Sequence, residues 1–131
     1  MKIGITASAF DLLHAGHILM LKEAKSVCDH LIVALQINPT LDRPEKNKPI
    51  QSFYERWTQL SSVKYVDEII PYETERELMT ILQNNNIDIR ILGDEYRNKV
   101  FTGCNLEMEY FFNKRTHKYS STELRKRLGS I

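Results

Sequence analysis

The sequence lacks the features that would place it in several common classes of protein. No apolar run approaches the ~20 residues that a helix needs to span a bilayer, and residues 2–6 predict a first strand, not a signal peptide. The formal net charge is only +1 over 131 residues, so no overall field favours a nucleic acid or a membrane as partner. We therefore expect a single domain, spanning residues 1–131, in the cytoplasm.

Cysteine is scarce, and the familiar phosphate-binding motifs are absent. Cys28 and Cys104 are far apart and show no metal-ligand spacing, which favours reduced thiols and leaves a bridge between them open. Neither the G-x-G-x-x-G of dinucleotide-binding folds nor the Walker G-x-x-x-x-G-K-[ST] occurs. If this chain binds phosphate, it does so by another device.

What the chain does contain is an alternation of strand and helix patterns. Strands are predicted over 2–6, 30–37, 66–71 and 87–92, with a weaker strand pattern over 106–112, and helices over 16–27, 51–63, 74–84 and 121–128. This alternation predicts an α/β fold, a Rossmann-like doubly wound parallel sheet with helices on both faces.

Unusual segments follow several of the predicted strands. They are the His14 region, the long polar loop 38–50, the pair Gly93–Asp94, and the segment around Arg115. In open parallel sheets, ligands bind beyond the carboxyl ends of the strands, where the winding direction reverses. These segments should therefore meet at one edge of the sheet and form a binding site.

The stretch H-A-G-H places two imidazoles where a strand is followed by a helix. His14 and His17 are three residues apart and share a helix face if the helix begins near residue 15. Free N–H groups at the helix start favour an anion, and Gly16 lets a phosphate approach the backbone. The pattern suits phosphoryl-type transfer. A two-histidine metal site and ordinary surface histidines are the alternatives, although two ligands do not complete a metal site.

A second candidate anion site lies near the end of the sequence, in R-T-H-K-Y-S-S-T-E-L-R. Ser120 or Ser121 is a natural N-cap for the last helix, and Thr122 adds a third hydroxyl. With Arg115 and Arg125, these groups could hold phosphates. The alternative is a capped, basic and solvated helix. Two such sites on one sheet edge indicate a nucleoside triphosphate.

Taken together, these motifs resemble those of the nucleotidyltransferase superfamily. H-A-G-H matches H-x-G-H, and R-T-H-K-Y-S-S-T matches the [R]-T-x-x-[IY]-S-[ST]-T motif. The chain is most similar to the glycerol-3-phosphate cytidylyltransferase family, and F-D-L-L-H-A-G-H, Y-V-D-E-I-I-P and N-I-D-I-R-I-L-G-D-E-Y follow the order of that family. The resemblance covers the whole chain and is more specific for the reaction than for the acceptor.

The resemblance implies a role for each matching residue. The catalytic group would be His14, His17, Lys46, Lys48 and Arg115, and the acceptor would meet Lys48, Arg56, Asp67 and Tyr96. The nucleotide would meet Ser8, Ala9, Phe10, Asp11, Gly16, Gly93, Asp94, Arg115, Ser120, Ser121, Thr122 and Arg125. Asp11 would position the histidines or the ligand, and Asp67 would support the site between strands. No protein metal ligands are implied, because Mg²⁺ would arrive with the triphosphate.

The sequence departs from the family pattern near the expected ligands. S-A-F-D stands where the family has G-T-F-D, Asn38 replaces an aspartate, and Tyr96 replaces a tryptophan. His117-Lys118-Tyr119 replaces a more usual x-Gly-Ile.

Several functional hypotheses stay open at this point. The first is transfer of CMP from CTP to a phosphorylated small alcohol such as glycerol 3-phosphate, with release of pyrophosphate. The others are an adenylyltransferase that uses ATP on a phosphorylated sugar or cofactor precursor, a non-catalytic nucleotide-binding module, and hydrolysis of the triphosphate without an acceptor. The resemblance also implies a homodimer.

Overall fold

The computed structural model describes residues 1–129, and within them the predicted alternation of strands and helices is present. The strands are β1 (Ile3–Ser8), β2 (His30–Gln36), β3 (Glu68–Tyr72), β4 (Ile89–Gly93) and β5 (Glu109–Asn113). The helices are α1 (Ala15–Ser26), α2 (Phe53–Ser61), α3 (Glu75–Asn84) and α4 (Ser121–Gly129). Short 3₁₀ turns cover Pro39–Leu41 and Asp94–Tyr96.

All five strands form one parallel sheet in the order β3-β2-β1-β4-β5. This confirms the predicted doubly wound α/β fold. The chain first adds strands on one side of β1 and then continues on the other side with β4. The winding direction therefore reverses between β1 and β4, where an open α/β sheet usually binds its ligand.

The sheet carries a hydrophobic cluster on each face, which is why its central strands have apolar residues pointing to both faces. One cluster joins Leu31, Val33 and Ile91 of the sheet to Leu21 of α1 and Leu60 of α2. The other joins Ile5, Ile32 and Ala34 of the sheet to Leu78 and Leu82 of α3. The helices thus cover both faces, as predicted.

Element boundaries differ from the prediction where a local hydrogen bond decides them. Helix α2 begins at Phe53, two residues later than predicted, because Ser52 caps it by accepting from the backbone N–H of Glu55. Strand β3 begins at Glu68 because a turn, closed by Val66 N–H to the Val63 carbonyl, occupies the preceding residues. Gly129, expected after the last helix, is instead its final residue.

Two absences are structural findings for residues 1–129. No helix in this range is long and apolar enough to cross a bilayer. Both cysteines in it are unbridged, and the Cys28 thiol, just beyond the end of α1, donates to the Ala24 carbonyl of that helix.

Candidate active site

A cleft of about 1160 Å³ lies over the carboxyl ends of the strands. Its walls come from the ends of β1, β2, β3 and β4, the first turns of α1 and α4, and the segment between β5 and α4. The predicted convergence of the His14, Gly93 and Arg115 segments on one sheet edge is therefore confirmed.

Backbone hydrogen bonds hold both histidine rings in place at the start of α1. His14 is the N-cap, and its Nδ1 accepts the N–H of Gly16 at 3.0 Å. His17, in the first turn, accepts the N–H of His14 on its own Nδ1 at 3.1 Å. This reciprocal pair is a capping box built from imidazoles, and it satisfies two N–H groups that a helix start otherwise leaves free. The ring centroids are 4.0 Å apart.

This arrangement fixes the tautomer of both rings. Because each Nδ1 accepts a hydrogen bond, the proton of each neutral imidazole sits on Nε2. Burial and the neighbouring His14 lower the pKa of His17 to about 4, and burial, His117 and Arg115 lower the pKa of His14. Both rings are therefore neutral near pH 7 and line the cleft as neutral N–H donors.

The segment before α4 packs directly on the first turn of α1. A Cβ on Gly16 would lie 2.9 Å from the Tyr119 carbonyl oxygen and 2.7 Å from Cε1 of His14. Arg115 donates from Nη2 to the same Tyr119 carbonyl at 2.8 Å. Glycine is thus required at position 16 for close packing of the two motifs.

Helix α4 begins as the sequence suggested. The Ser120 hydroxyl accepts the N–H of Glu123 at 3.0 Å, which makes Ser120 the N-cap. Ser120 and Ser121 line the cleft together with Arg115 and His117. The two helix starts therefore face one cavity from adjacent positions.

Asp11 connects three parts of the site without lining the cleft. Its carboxylate accepts the N–H groups of Ile50 and Gln51, both at 2.9 Å, at the end of the lysine-bearing loop. Its Oδ2 also lies 3.6 Å from Nη2 of Arg125 on α4. Asp11 thus holds the loop and the last helix beside the histidines, which is a positioning arrangement.

The predicted site residues separate into two groups. Those that line the cleft are Ser8, Ala9, His14, Gly16, His17, Lys46, Gly93, Asp94, Tyr96, Arg115, Ser120 and Ser121. Those outside the lining are Phe10, Asp11, Lys48, Arg56, Asp67, Thr122 and Arg125. The structure thus places the first group around one cavity, and the chemical roles of both groups stay predictions.

Arg56 was expected to face the acceptor, but it lies outside the cleft lining. Its side chain is buried, and its guanidinium donates to the backbone carbonyls of Ala9, Gln36, Ile37 and Gln51. These carbonyls belong to the loop after β1, to the last residue of β2 and the residue after it, and to the segment before α2. Arg56 therefore stabilises the loops behind the site, because carbonyl oxygens use most of its donors.

Asp67 and Phe10 also lie elsewhere than expected. Asp67 precedes β3, so it sits at the amino edge of the sheet, opposite the cleft, where it accepts from Leu31 N–H and pairs with Lys25. Phe10 is buried in the core on the α1 face and packs against the His17 ring, with centroids 5.4 Å apart. It supports a histidine and does not contact the cleft.

The sequence analysis missed a polar group on the α3 side of the cleft. Gln36, Tyr72, Glu75, Arg90 and Thr102 all line the cavity there. The available signal was Arg90, a charge in the middle of the apolar strand I-R-I-L-G. The other four side chains give no local signal, because distant turns bring them together.

A protein metal centre is the alternative to a phosphate-binding site at the two histidines. Residues 1–129 contain no group of three or more histidine, cysteine or acidic side chains placed to hold a metal ion. The two histidines also use their Nδ1 atoms for backbone hydrogen bonds.

Comparison with known proteins agrees with this geometry. The family model described as cytidylyltransferase-like matches residues 5–127. The chain belongs to the cytidylyltransferase-like family. Membership makes it a nucleotidyltransferase, and the cleft at the H-A-G-H motif is its candidate active site.

Two relatives and one solved structure illustrate the range of this family. The chain is 31% identical over 131 residues to the glycerol-3-phosphate cytidylyltransferase of Bacillus subtilis (strain 168), covering 100% of both chains. It is 37% identical over 91 residues to the FAD synthase of Thermococcus sibiricus (strain DSM 12597 / MM 739), covering 70% of this chain and 62% of that one. The structure of the lipopolysaccharide core biosynthesis protein from Thermoplasma volcanium GSS1 superposes with a TM-score of 0.64 at 26% identity, over 99% of this chain and 88% of that one.

Proposed function

We propose that this nucleotidyltransferase moves CMP from CTP to a phosphorylated small alcohol, such as glycerol 3-phosphate, and releases pyrophosphate. The observation that carries this proposal is the pair of imidazoles whose Nδ1 atoms are held by backbone hydrogen bonds, in residues that line a cleft shared with the start of α4. The full-length similarity to a glycerol-3-phosphate cytidylyltransferase supports the choice of nucleotide and acceptor.

In this reaction an oxygen of the acceptor phosphate attacks the α-phosphorus of CTP. A new P–O bond forms on one side, and the bond from the α-phosphorus to the oxygen bridging to the β-phosphorus breaks on the other. The acceptor oxygen is already anionic, so no general base is needed. His14 and His17 donate from Nε2 to the α-phosphate and stabilise the charge that develops there.

Neutral imidazoles suit this role because they need not lose a proton to act. The lowered pKa values keep both rings in one protonation state near pH 7. Their hydrogen bonds to the backbone hold both rings before substrate arrives, so little reorganisation is required in the transition state.

The β- and γ-phosphates would lie at the start of α4. Ser120, Ser121 and Arg115 line the cleft, as does Lys46 of the 38–50 loop. Mg²⁺ would enter as part of the triphosphate substrate and be held mainly by phosphate oxygens and water.

Pyrophosphate release by the purified protein tests this proposal. CTP and ATP are each supplied with Mg²⁺, with and without glycerol 3-phosphate, to the parent protein and to His17→Gln. Glutamine can accept the same N-terminal hydrogen bond, so we expect the variant to fold and to lose about 10²–10³ in turnover.

His30→Gln is the matched control, because His30 pairs with Glu68 at the amino edge of the sheet. We expect it to keep parental activity. A folded His17→Gln protein with full turnover would contradict the mechanism. Release without any acceptor would indicate hydrolysis, and nucleotide binding without release would indicate a non-catalytic module.

Adenylyl transfer is the second candidate. The similarity to an FAD synthase favours it, because FAD contains an adenylyl group. In this case release would require ATP together with a phosphorylated sugar or cofactor precursor, and CTP would be inactive.

We further propose that the working protein is a homodimer, as the sequence resemblance implies. Sedimentation equilibrium would test this, since the chain mass is 15.4 kDa and a dimer has twice that value.

A further inference from the structure

Two buried arginines lie close to this site, and they differ in how their donors are satisfied. Arg56 is 2% exposed and donates to four backbone carbonyls, whereas Arg90 is 5% exposed and, within the described residues, donates only to the Thr102 carbonyl. A guanidinium has five N–H donors. Most of those on Arg90 therefore have no acceptor among residues 1–129.

Arg90 also forms no ion pair in the described part of the chain, although the lowering of its pKa by burial is partly opposed by the nearby Glu75 carboxylate. Over residues 1–129, no carboxylate lies within ion-pair distance of its guanidinium. The group stacks above the Phe101 ring, 5.3 Å from the centroid, and burial lowers its pKa. A buried, unpaired cation is costly, so its place in the cleft lining indicates an anionic ligand.

The alternation of strand β4 places Arg90 on the α3 face of the sheet. Ile89 and Ile91, its neighbours along the strand, pack in the cluster that contains α1, so the side chain between them points to the opposite face. The histidines belong to the α1 side. The cleft thus crosses the sheet edge, with the histidines at one end and Arg90 at the other.

The Arg90 end of the cleft offers hydrogen-bonding groups beside the cation. Glu75 accepts from Thr102 and Arg43 on Oε1, while its Oε2 has no partner. Tyr72 is 3% exposed, and burial raises the pKa of its phenol, which stays a neutral donor. Gln36 donates to the Glu73 carbonyl, and its amide also lines the cavity. Donors and acceptors of this kind recognise hydroxyl groups.

We propose that Arg90 binds an anionic group of the acceptor and that Gln36, Tyr72 and Glu75 bind hydroxyls of the same molecule. The acceptor class is therefore a phosphorylated polyol or sugar that extends across the sheet edge onto the α3 face. The identification of the bound molecule as the acceptor rests on the proposed function. The binding site itself can be tested without any transfer reaction.

The anion at Arg90 has two possible sources. It is either the phosphate that reacts or a second anionic group at the far end of the acceptor. Four probes separate them: glycerol 3-phosphate, 6-phosphogluconate, gluconate and neutral glycerol. Protection by gluconate identifies a second anionic group, and protection only by the phosphorylated probes identifies the phosphate.

The experiment measures the melting temperature of the full chain with each probe, alone and with CMP. It compares the parent with Arg90→Met and with Arg76→Met as the matched control, because Arg76 is an exposed arginine on α3 outside the cleft lining. Arg56→Met shows the effect of removing a structural arginine.

We expect at least one anionic probe to raise the melting temperature of the parent and of Arg76→Met, and glycerol to leave it unchanged. Arg90→Met should lose this shift, and Arg90→Lys should retain part of it, because the charge remains without the planar fork. The free Arg90→Met protein should melt closer to the parent than Arg56→Met does.

The proposal is overturned if no anionic probe protects the parent, or if Arg90→Met is protected as well as the parent. It is also overturned if free Arg90→Met is destabilised as strongly as Arg56→Met, which would make Arg90 structural. If the anionic probes raise the melting temperature of the parent but the parent shows no turnover with CTP, the transfer reaction alone is refuted. The two failures are therefore distinguishable.

Discussion

At the scale of single residues, the position of His14 and His17 in a helix N-terminus determines their chemistry. Each Nδ1 accepts a backbone N–H, so each Nε2 carries a proton and remains available to a ligand. A surface histidine would titrate near its usual pKa, whereas burial lowers that of His17 to about 4. The ring therefore donates a hydrogen bond throughout the neutral range.

The lowered pKa of His17 predicts a loss of stability in acid. As the pH falls from 6.5 to about 4, the unfolded chain binds a proton at this position that the folded chain does not. The free energy of unfolding should fall by about 2–3 kcal/mol from this group between about pH 7 and about pH 4.5, with no further contribution below the folded pKa.

Urea unfolding at the two pH values measures this effect. The parent should lose about 2–3 kcal/mol more than His17→Gln, which has no titrating group at position 17. Equal losses in both proteins would mean that His17 is not held neutral in the folded state.

At the scale of elements, the site depends on the contact between the first turn of α1 and the segment before α4. Helix starts leave N–H groups unsatisfied, and here two such starts line one cavity. Gly16 sets their separation, since its missing side chain admits the Tyr119 carbonyl.

Gly16→Ala should therefore lower activity although alanine favours helix formation. Its Cβ would meet His14 at 2.7 Å and the Tyr119 carbonyl at 2.9 Å, so either a histidine or the α4 start must move. A displacement of about 1 Å in such a site costs roughly 10²-fold in kcat/KM. Steady-state kinetics with both substrates measures this loss.

Gly129→Ala is the control for this substitution, because a Cβ at that position would meet no atom of another segment within 4 Å among the described residues. It should leave kcat/KM unchanged and leave stability unchanged or slightly higher. If Gly16→Ala keeps full activity, the close packing at Gly16 is not needed for catalysis.

At the scale of the whole molecule, one sheet supports two hydrophobic layers and a cleft that crosses its edge. Leu21 lies in the α1 layer and Leu78 in the α3 layer, and both are almost completely buried. Both layers pack on the same strands. Unfolding of these strands therefore exposes the apolar residues of both layers at once.

Leu21→Ala and Leu78→Ala should each lower the free energy of unfolding by about 2–5 kcal/mol. Each variant should unfold in a single transition, with far-UV circular dichroism and Trp57 fluorescence giving the same midpoint. Two separated midpoints in either variant would show that the layers unfold independently.

Local patterns in the sequence account for most of the fold. The strand and helix periodicities predicted the parallel sheet, and the strand-end motifs predicted which segments meet at its edge. These features depend on local patterns that the chain carries in a few consecutive residues. The weaker pattern at 106–112 predicted β5 less well, because turns around residues 97–108 shift its start to Glu109.

The amino-acid sequence by itself thus determined the fold, the reaction family and the two helix-start motifs, since periodicity, capping and glycine placement act over a few residues. Only the tertiary structure decided where the arginines and Asp67 lie and which groups they contact. Arg56 is saturated by carbonyls of distant loops, and Arg90 is left open to the cleft. Asp67 lies at the far edge. The partner of a charged side chain depends on segments remote in sequence, and no local pattern specifies which of them will lie beside it.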